Sequence, residues 1–313
     1  MSRDIHLPRI ARTALIGAEA LIALFVATWY AVFHFAVVDR VDISIFNGFR
    51  SLAVRPVLPV LANAVANLCD TFPYVLLSLI PLTIAWRRRR RLVAAAILVI
   101  LICANETTEI LKPILGARRP VSLPSAVVSL HSFPSGHATA SMTLGLCCVL
   151  AVPARWRPRV AILAAVFAVA VVYSFLTLGW HYPSDALGGF LVASIWTLLG
   201  IAAIAVAYQR RSHPVTAELA SPGRRPSLRA LAPACLALTG AGILGLLAFL
   251  LRPDQVVGFT EAHKSFVVGA IALGALGVVL ATGVMLTLAA PLTPGNARGP
   301  TAAPPRGWPR ERE

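Results

Sequence analysis

Long apolar runs, broken by short polar islands, recur along almost the whole of this chain, and few folds can accept that pattern. A helix needs about 20 predominantly apolar residues to cross a bilayer. Eight stretches are candidates: 14–37, 69–86, 92–111, 137–154, 159–179, 184–208, 230–251 and 265–289. Only 13% of the residues are charged, about half the share of an ordinary soluble domain. The expected fold is therefore all-α, a polytopic membrane helix bundle of about eight spans. The first run, Thr13 to Val38, exceeds a signal-peptide core of ~7–15 residues and has no small-residue cleavage site after it, so it is read as a retained span.

The charge distribution orients the bundle. A net charge of +15 would suit nucleic acid, but the arginine clusters sit between apolar runs rather than along one soluble face, which argues against that partner. With the N-terminus in the cytoplasm, 20 of the 28 Lys and Arg residues fall in inside segments and 8 outside, as the positive-inside rule requires. The organisation that follows is a cytoplasmic N-terminus (1–13), a membrane core (14–208), a basic cytoplasmic linker (209–229), two accessory spans (230–289) and a Pro/Gly/Arg-rich cytoplasmic tail (290–313) read as disordered. Gly240, Gly245, Gly269, Gly274 and Gly277 in the accessory spans suit close helix packing. The less apolar stretch 41–68 reads as an outside segment with helices lying along the membrane, and its Asp42 and Arg50 as solvated. The five cysteines lie in or beside apolar runs without metal-ligand spacing and are read as packing residues. No metal or cofactor is expected.

Three polar islands then fall at run ends on the same, non-cytoplasmic face. The first runs from Lys112 to Arg119-Pro120. Pro113 and Gly116 are expected to end the span there. Arginine offers a planar fork to phosphate oxygens and lysine a mobile point charge; taken alone, both also read as cations snorkelling at a span end. The second is Phe133-Pro-Ser135-Gly136-His137. Ser135 is a good N-cap, a helix N-terminus favours anions, Gly136 permits close backbone approach, and an imidazole can protonate a leaving oxygen. The third is Gly179-Trp-His181-Tyr-Pro-Ser-Asp185, whose carboxylate can fix the His181 tautomer and leave the other nitrogen free to attack. Glu109, three residues before Lys112, is placed to pair with it. His34 and Asp70 read as interfacial, and His131 as a solvated loop residue.

These islands resemble the signature motifs of the type-2 phosphatidic acid phosphatase superfamily, which also holds the vanadium haloperoxidases: K-x6-R-P, P-S-G-H and S-R-x5-H-x3-D. The first is matched at Lys112, Arg119 and Pro120, the second from Pro134 to His137, the third at Ser174, His181 and Asp185. The resemblance covers roughly 40–208 and implies a six-span phosphatase core, with the two C-terminal spans outside it. It implies a metal-independent lipid-phosphate phosphatase in a bacterial plasma membrane. In that chemistry His181 attacks phosphorus to form a phosphohistidine, Asp185 orients it, and His137 protonates the leaving oxygen. Lys112, Arg119, Ser135 and Gly136 hold the phosphate, with Arg118 and Ser174 as auxiliaries. Phosphatidate, phosphatidylglycerophosphate and undecaprenyl pyrophosphate are all implied substrates. One departure stands out: Phe175 occupies the place of the third motif's arginine. Arg118 is a possible substitute. A phosphotransferase on the same scaffold, or a catalytically weakened member that binds lipid phosphate, therefore stays open beside the hydrolase.

Overall fold

The computed structural model of the chain describes residues 7–54, 56–121, 128–210, 250, 258, 260–261 and 263–288. Among these it is all-helical: α1 (Arg9–His34), α2 (Ala36–Ser51), α3 (Val57–Ala66), α4 (Thr71–Arg87), α5 (Arg91–Leu115), α6 (Gly136–Ala151), α7 (Arg157–Leu178), α8 (Pro183–Arg210) and α9 (Lys264–Thr287). Each expected apolar run has one helix over it except 230–251, which lies outside the described residues but for residue 250, as do most of the linker 209–229 and the tail.

Five of these helices (α1, α5, α7, α8 and α9) are long and apolar enough to cross a membrane, which makes this an integral membrane protein. Of the other expected spans, 230–251 falls almost wholly outside the described residues and two are shorter helices. Helices α4 and α6 have 17 and 16 residues. At ~1.5 Å per residue, α6 rises about 24 Å, short of a ~30 Å hydrocarbon core. The reason lies in packing. Nearly every residue of α6 is buried, among α5, α7, α8 and α4, so its length is set by its neighbours rather than by lipid. Small residues bring the backbones close. A Cβ on Gly145 would lie 2.6 Å from the Cβ of Ala164 in α7, and one on Gly189 would lie 2.5 Å from the Ser135 carbonyl oxygen.

Within the stretch 41–68, the α2 part is packed into the bundle while much of α3 is exposed. Helices α2 and α3 meet at a bend of 118°, and α2 packs on α1, α7, α8 and α9. Its buried face carries Asp39, Asp42, Phe46 and Phe49, spaced as one helical stripe, while Val37, Val38 and Val41 point outward. The carboxylates turn inward because a buried cation waits for them. Arg50 is exposed, as expected.

Helix direction sorts the polar residues into two ends. The C-termini of α1, α5 and α7 and the N-termini of α4, α6 and α8 meet at one end, where Arg119 lies over the Phe33 ring at 5.4 Å and Ser135 N–H bonds the Asp185 carbonyl at 2.9 Å. The arginine-rich turn 87–91 lies at the other, where Arg90 donates to the Leu150 carbonyl near the end of α6. Helix α9 seats against α2, α7 and α8. A Cβ on Gly277 would meet Val169 at 2.9 Å, one on Gly269 would meet Ile45 at 2.6 Å, and Gly274 faces the Tyr173 hydroxyl. Gly240 and Gly245 lie outside the described residues.

Candidate active site

The second island builds the floor of the site. Ser135 is the N-cap of α6, and its hydroxyl accepts a 3.4 Å bond from the Ala138 N–H. Helix starts leave their first N–H groups without intrahelical partners, so Gly136 and His137 present theirs at the helix mouth. Gly136 lies close under the ion pair: an added Cβ would come 3.3 Å from Glu109 Oε1 and 3.5 Å from Lys112 Nζ. Lys112 reaches over this helix start from the last turn of α5 and bonds Glu109 at 2.6 Å, the expected three-residue pair. The helix runs through Pro113 to Leu115 rather than stopping at the proline. His131 is exposed in the loop, as expected, and its Nδ1 lies 3.3 Å from the Lys112 carbonyl at the end of α5.

The third island closes the wall opposite. Gly179 caps α7 with φ of 75°, a left-handed turn that suits glycine and swings the chain toward α8. His181 and Asp185 are four positions apart. The His181 Nδ1 lies 3.5 Å from Asp185 Oδ2, an ion-pair rather than a hydrogen-bond distance. Nε2 is therefore the nitrogen turned away from the carboxylate. Asp185 is fully buried and accepts from the Tyr182 N–H at 2.9 Å and from Arg119 at 3.0 Å. The ring of His137 lies 6.4 Å from that of His181. Both histidines and the Lys112–Glu109 pair thus gather around the N-terminus of α6.

Arg119 is more deeply committed than its motif suggests. One terminal nitrogen donates to Asp39 at 3.2 Å and Asp42 at 2.6 Å, and the other to Ser184 at 3.1 Å and Asp185 at 3.0 Å. Its guanidinium lies 3.8 Å over the Tyr182 ring. Burial by itself would pull this group down, but the charges of Asp185, Asp42 and Asp39 outweigh that and raise its pKa further above its ordinary value. Asp42 also accepts from the Ser184 N–H and hydroxyl. Asp42 is buried, against the expectation that it is solvated. Four of Arg119's five donors are therefore spent on protein partners. Its principal visible work is to tie α2 to the start of α8 and so to hold Asp185.

The auxiliaries are placed less favourably. Arg118 is exposed. Ser174 donates to Ala170 of its own helix at 2.7 Å. Phe175 is fully buried, with its ring edge-on to His181 at 5.2 Å and 6.2 Å from His137. An apolar ring therefore flanks both imidazoles where the motif calls for a cation.

Asp70, at the N-terminus of α4, is a residue that sequence alone gave no reason to select. Its Oδ1 lies 3.1 Å from His137 Nε2. A cavity of about 590 Å³ opens from this point between α4 and α5. Its head is polar (Asp70, Glu106, Glu109, Lys112, Gly136 and His137), and its walls further down are apolar, including Leu79, Leu82, Leu98 and Leu101. A cavity of similar volume between α1 and α8 is lined by apolar side chains and Arg210 and offers no comparable chemistry.

Residues 92–210 match the family model of the PAP2 superfamily. The matched segment is less than half of the chain, and it contains all three islands and the helices from α5 to α8. The chain is also similar to the crystal structure of a transmembrane PAP2-type phosphatidylglycerolphosphate phosphatase from Bacillus subtilis, at 23% identity and a TM-score of 0.49, over 63% of this chain and 98% of that one. No curated protein matches the chain. The PAP2 match leaves out α1 to α4, and therefore Asp39, Asp42 and Asp70, which reach the site from outside it.

Proposed function

We propose that this protein is a membrane phosphatase that hydrolyses the phosphomonoester or pyrophosphate of a lipid through a phosphohistidine on His181. The observation that carries this reading is the meeting of His137, Lys112 and the α6 N-terminus at the polar head of a cavity whose walls are apolar, with the His181 ring 6.4 Å from that of His137. A lipid fits such a cavity by placing its phosphate among the N–H groups and cations and its chain between α4 and α5. His181 Nε2 forms the bond to phosphorus while Asp185 steadies Nδ1. The bond from phosphorus to the lipid oxygen breaks, and that oxygen takes a proton from His137. Water then attacks phosphorus, gives a proton back to His137, and the electron pair of the P–N bond returns to His181. No metal is required for these steps.

Orientation follows from the two ends of the bundle. The arginine-rich turns favour the cytoplasm, which supports a site at the non-cytoplasmic face, and the chain's composition supports a bacterial plasma membrane. Phosphatidate, phosphatidylglycerophosphate and undecaprenyl pyrophosphate remain the substrate classes. A second reading rests on Phe175. A charge-assisted contact to phosphate contributes about 1.5–3 kcal/mol, and a ring in that place suits a member that binds lipid phosphate more than it turns it over.

Purified protein with chelator, given each of these lipids, should release phosphate, and His181→Ala should abolish release. Turnover that appears only with Phe175→Arg would support the weakened-member reading. Release only after an acceptor lipid is added would point to transfer rather than hydrolysis, and loss of release in chelator would exclude the metal-free route.

A further inference from the structure

Of the groups around the two imidazoles, one is explained neither by the motifs nor by the Arg119 network. Asp70 stands at the turn before α4, half exposed at the cavity head, with its carboxylate 3.1 Å from His137 Nε2. The other polar groups that face His137 are Lys112, Glu109 and Glu106 from α5, His181 from the loop before α8, and Cys69 beside Asp70. Helix α7 contributes Phe175. Lys112 is already paired with Glu109 at 2.6 Å, and Asp185 is held by Arg119 and the Tyr182 N–H. Of these carboxylates, Asp70 is the one in hydrogen-bond contact with the His137 ring.

The chemistry of that contact is directional. An ionised carboxylate accepts, so the imidazole must carry hydrogen on Nε2. The remaining nitrogen, Nδ1, is left to face the leaving oxygen. A carboxylate beside an imidazole favours the protonated ring, whereas burial and the neighbouring His181 and Lys112 oppose it. A general acid must hold its proton until the P–O bond breaks.

We infer that Asp70 is the positioning residue for His137: it fixes hydrogen on Nε2 and offsets part of the burial that disfavours the protonated ring, so that Nδ1–H passes to the leaving oxygen and Nδ1 then accepts a proton from the attacking water. The site therefore contains two Asp–His pairs, Asp185 with His181 for attack and Asp70 with His137 for departure. This inference rests on the phosphatase reading for its catalytic consequence, but not for its protonation consequence. Asp70 comes from α4, outside the matched 92–210 segment, so the acid's partner is supplied by the flanking helices.

Two measurements separate the two ideas. In ring-labelled protein in detergent micelles, NMR titration of His137 should show its midpoint falling by about one pH unit in Asp70→Asn and recovering in Asp70→Glu. An unchanged midpoint in Asp70→Asn overturns the inference whether or not the protein hydrolyses anything. In the second measurement, Asp70→Asn should lower kcat on a lipid phosphate about tenfold and move the alkaline limb of the rate profile to lower pH. Its effect on p-nitrophenyl phosphate, whose phenolate departs without a proton, should be small. Equal loss on both substrates, or faster turnover because the carboxylate merely blocks the phosphate site, also overturns it. A wild type inert on both, with the midpoint still shifted by Asp70→Asn, overturns the phosphatase reading and leaves the Asp70–His137 pairing standing.

Discussion

Arg119 shows how a motif residue can be read correctly as a type and incompletely as a part. Its planar fork suits phosphate, yet here the fork grips Asp39, Asp42, Ser184 and Asp185. Removing it would leave three buried carboxylates facing one another. Breaking a buried ion pair by deleting one partner costs about 3–5 kcal/mol. Arg119→Ala is therefore expected to lower the thermal midpoint in detergent clearly, and Arg119→Lys to restore only part of it because one ammonium cannot reach four acceptors in a plane. An Arg119→Ala protein as stable as wild type, but with weakened phosphate binding, would return the residue to a purely ligand-binding role. The motif side chains His137, His181, Asp185, Lys112 and Ser135 were legible because their spacing within short islands is local. Asp39, Asp42 and Asp70 were not. Their partners lie 80, 77 and 67 residues away, and a lone acidic residue near a span end looks solvated until the fold supplies the other half of the pair.

Among the helices, the legible ones were those whose apolar runs stand alone. α1, α5, α7, α8 and α9 follow from length and hydropathy. α2 was misjudged because it inverts the usual pattern, with carboxylates inside and valines outside. Pro113 and Gly116 were expected to end the span, and α5 ends at Leu115 with Gly116 as its cap, the helix carrying Pro113 in its last turn. The α6–α8 crossing has consequences that can be measured. Gly189 faces the Ser135 carbonyl, Ala138 Cβ and Thr139 N–H, all within 2.9 Å of where its Cβ would stand. Those atoms are mostly backbone and cannot step aside. Gly189→Ala should push α8 off the N-terminus of α6, lowering both stability and phosphate release, and overpacking of this kind costs about 1–3 kcal/mol. Gly283→Ala, where a Cβ meets nothing within 4 Å, is the matched control and should leave both unchanged. Equal behaviour of the two variants in thermal unfolding would mean that α6 and α8 are not held as tightly as their spacing implies.

Taken whole, the molecule separates charge from chain. The carboxylates Asp39, Asp42, Asp70 and Asp185, the two histidines, Lys112 and Arg119 collect at the end where six helix termini meet, and the apolar walls of the α4–α5 cavity lead away from it into the depth of the bundle. That polarity is what distinguishes a lipid phosphate from a soluble one, since a soluble phosphate needs only the head of the cavity. Leu98 of α5 lines the apolar wall and lies outside the polar head. Leu98→Trp should fill the channel without touching Lys112 or either histidine. The KM for a long-chain lipid phosphate is then expected to rise about tenfold, equivalent to roughly 1.4 kcal/mol of lost binding, with kcat nearly preserved because the interaction lost is made equally before and during the reaction. Hydrolysis of p-nitrophenyl phosphate, which leaves the channel empty, should be unaffected. If both substrates lose activity together, the tryptophan has disturbed the helix pair itself; if neither does, the lipid chain lies outside the α4–α5 cavity, along the outer surface of the bundle, and the cavity serves the head group alone.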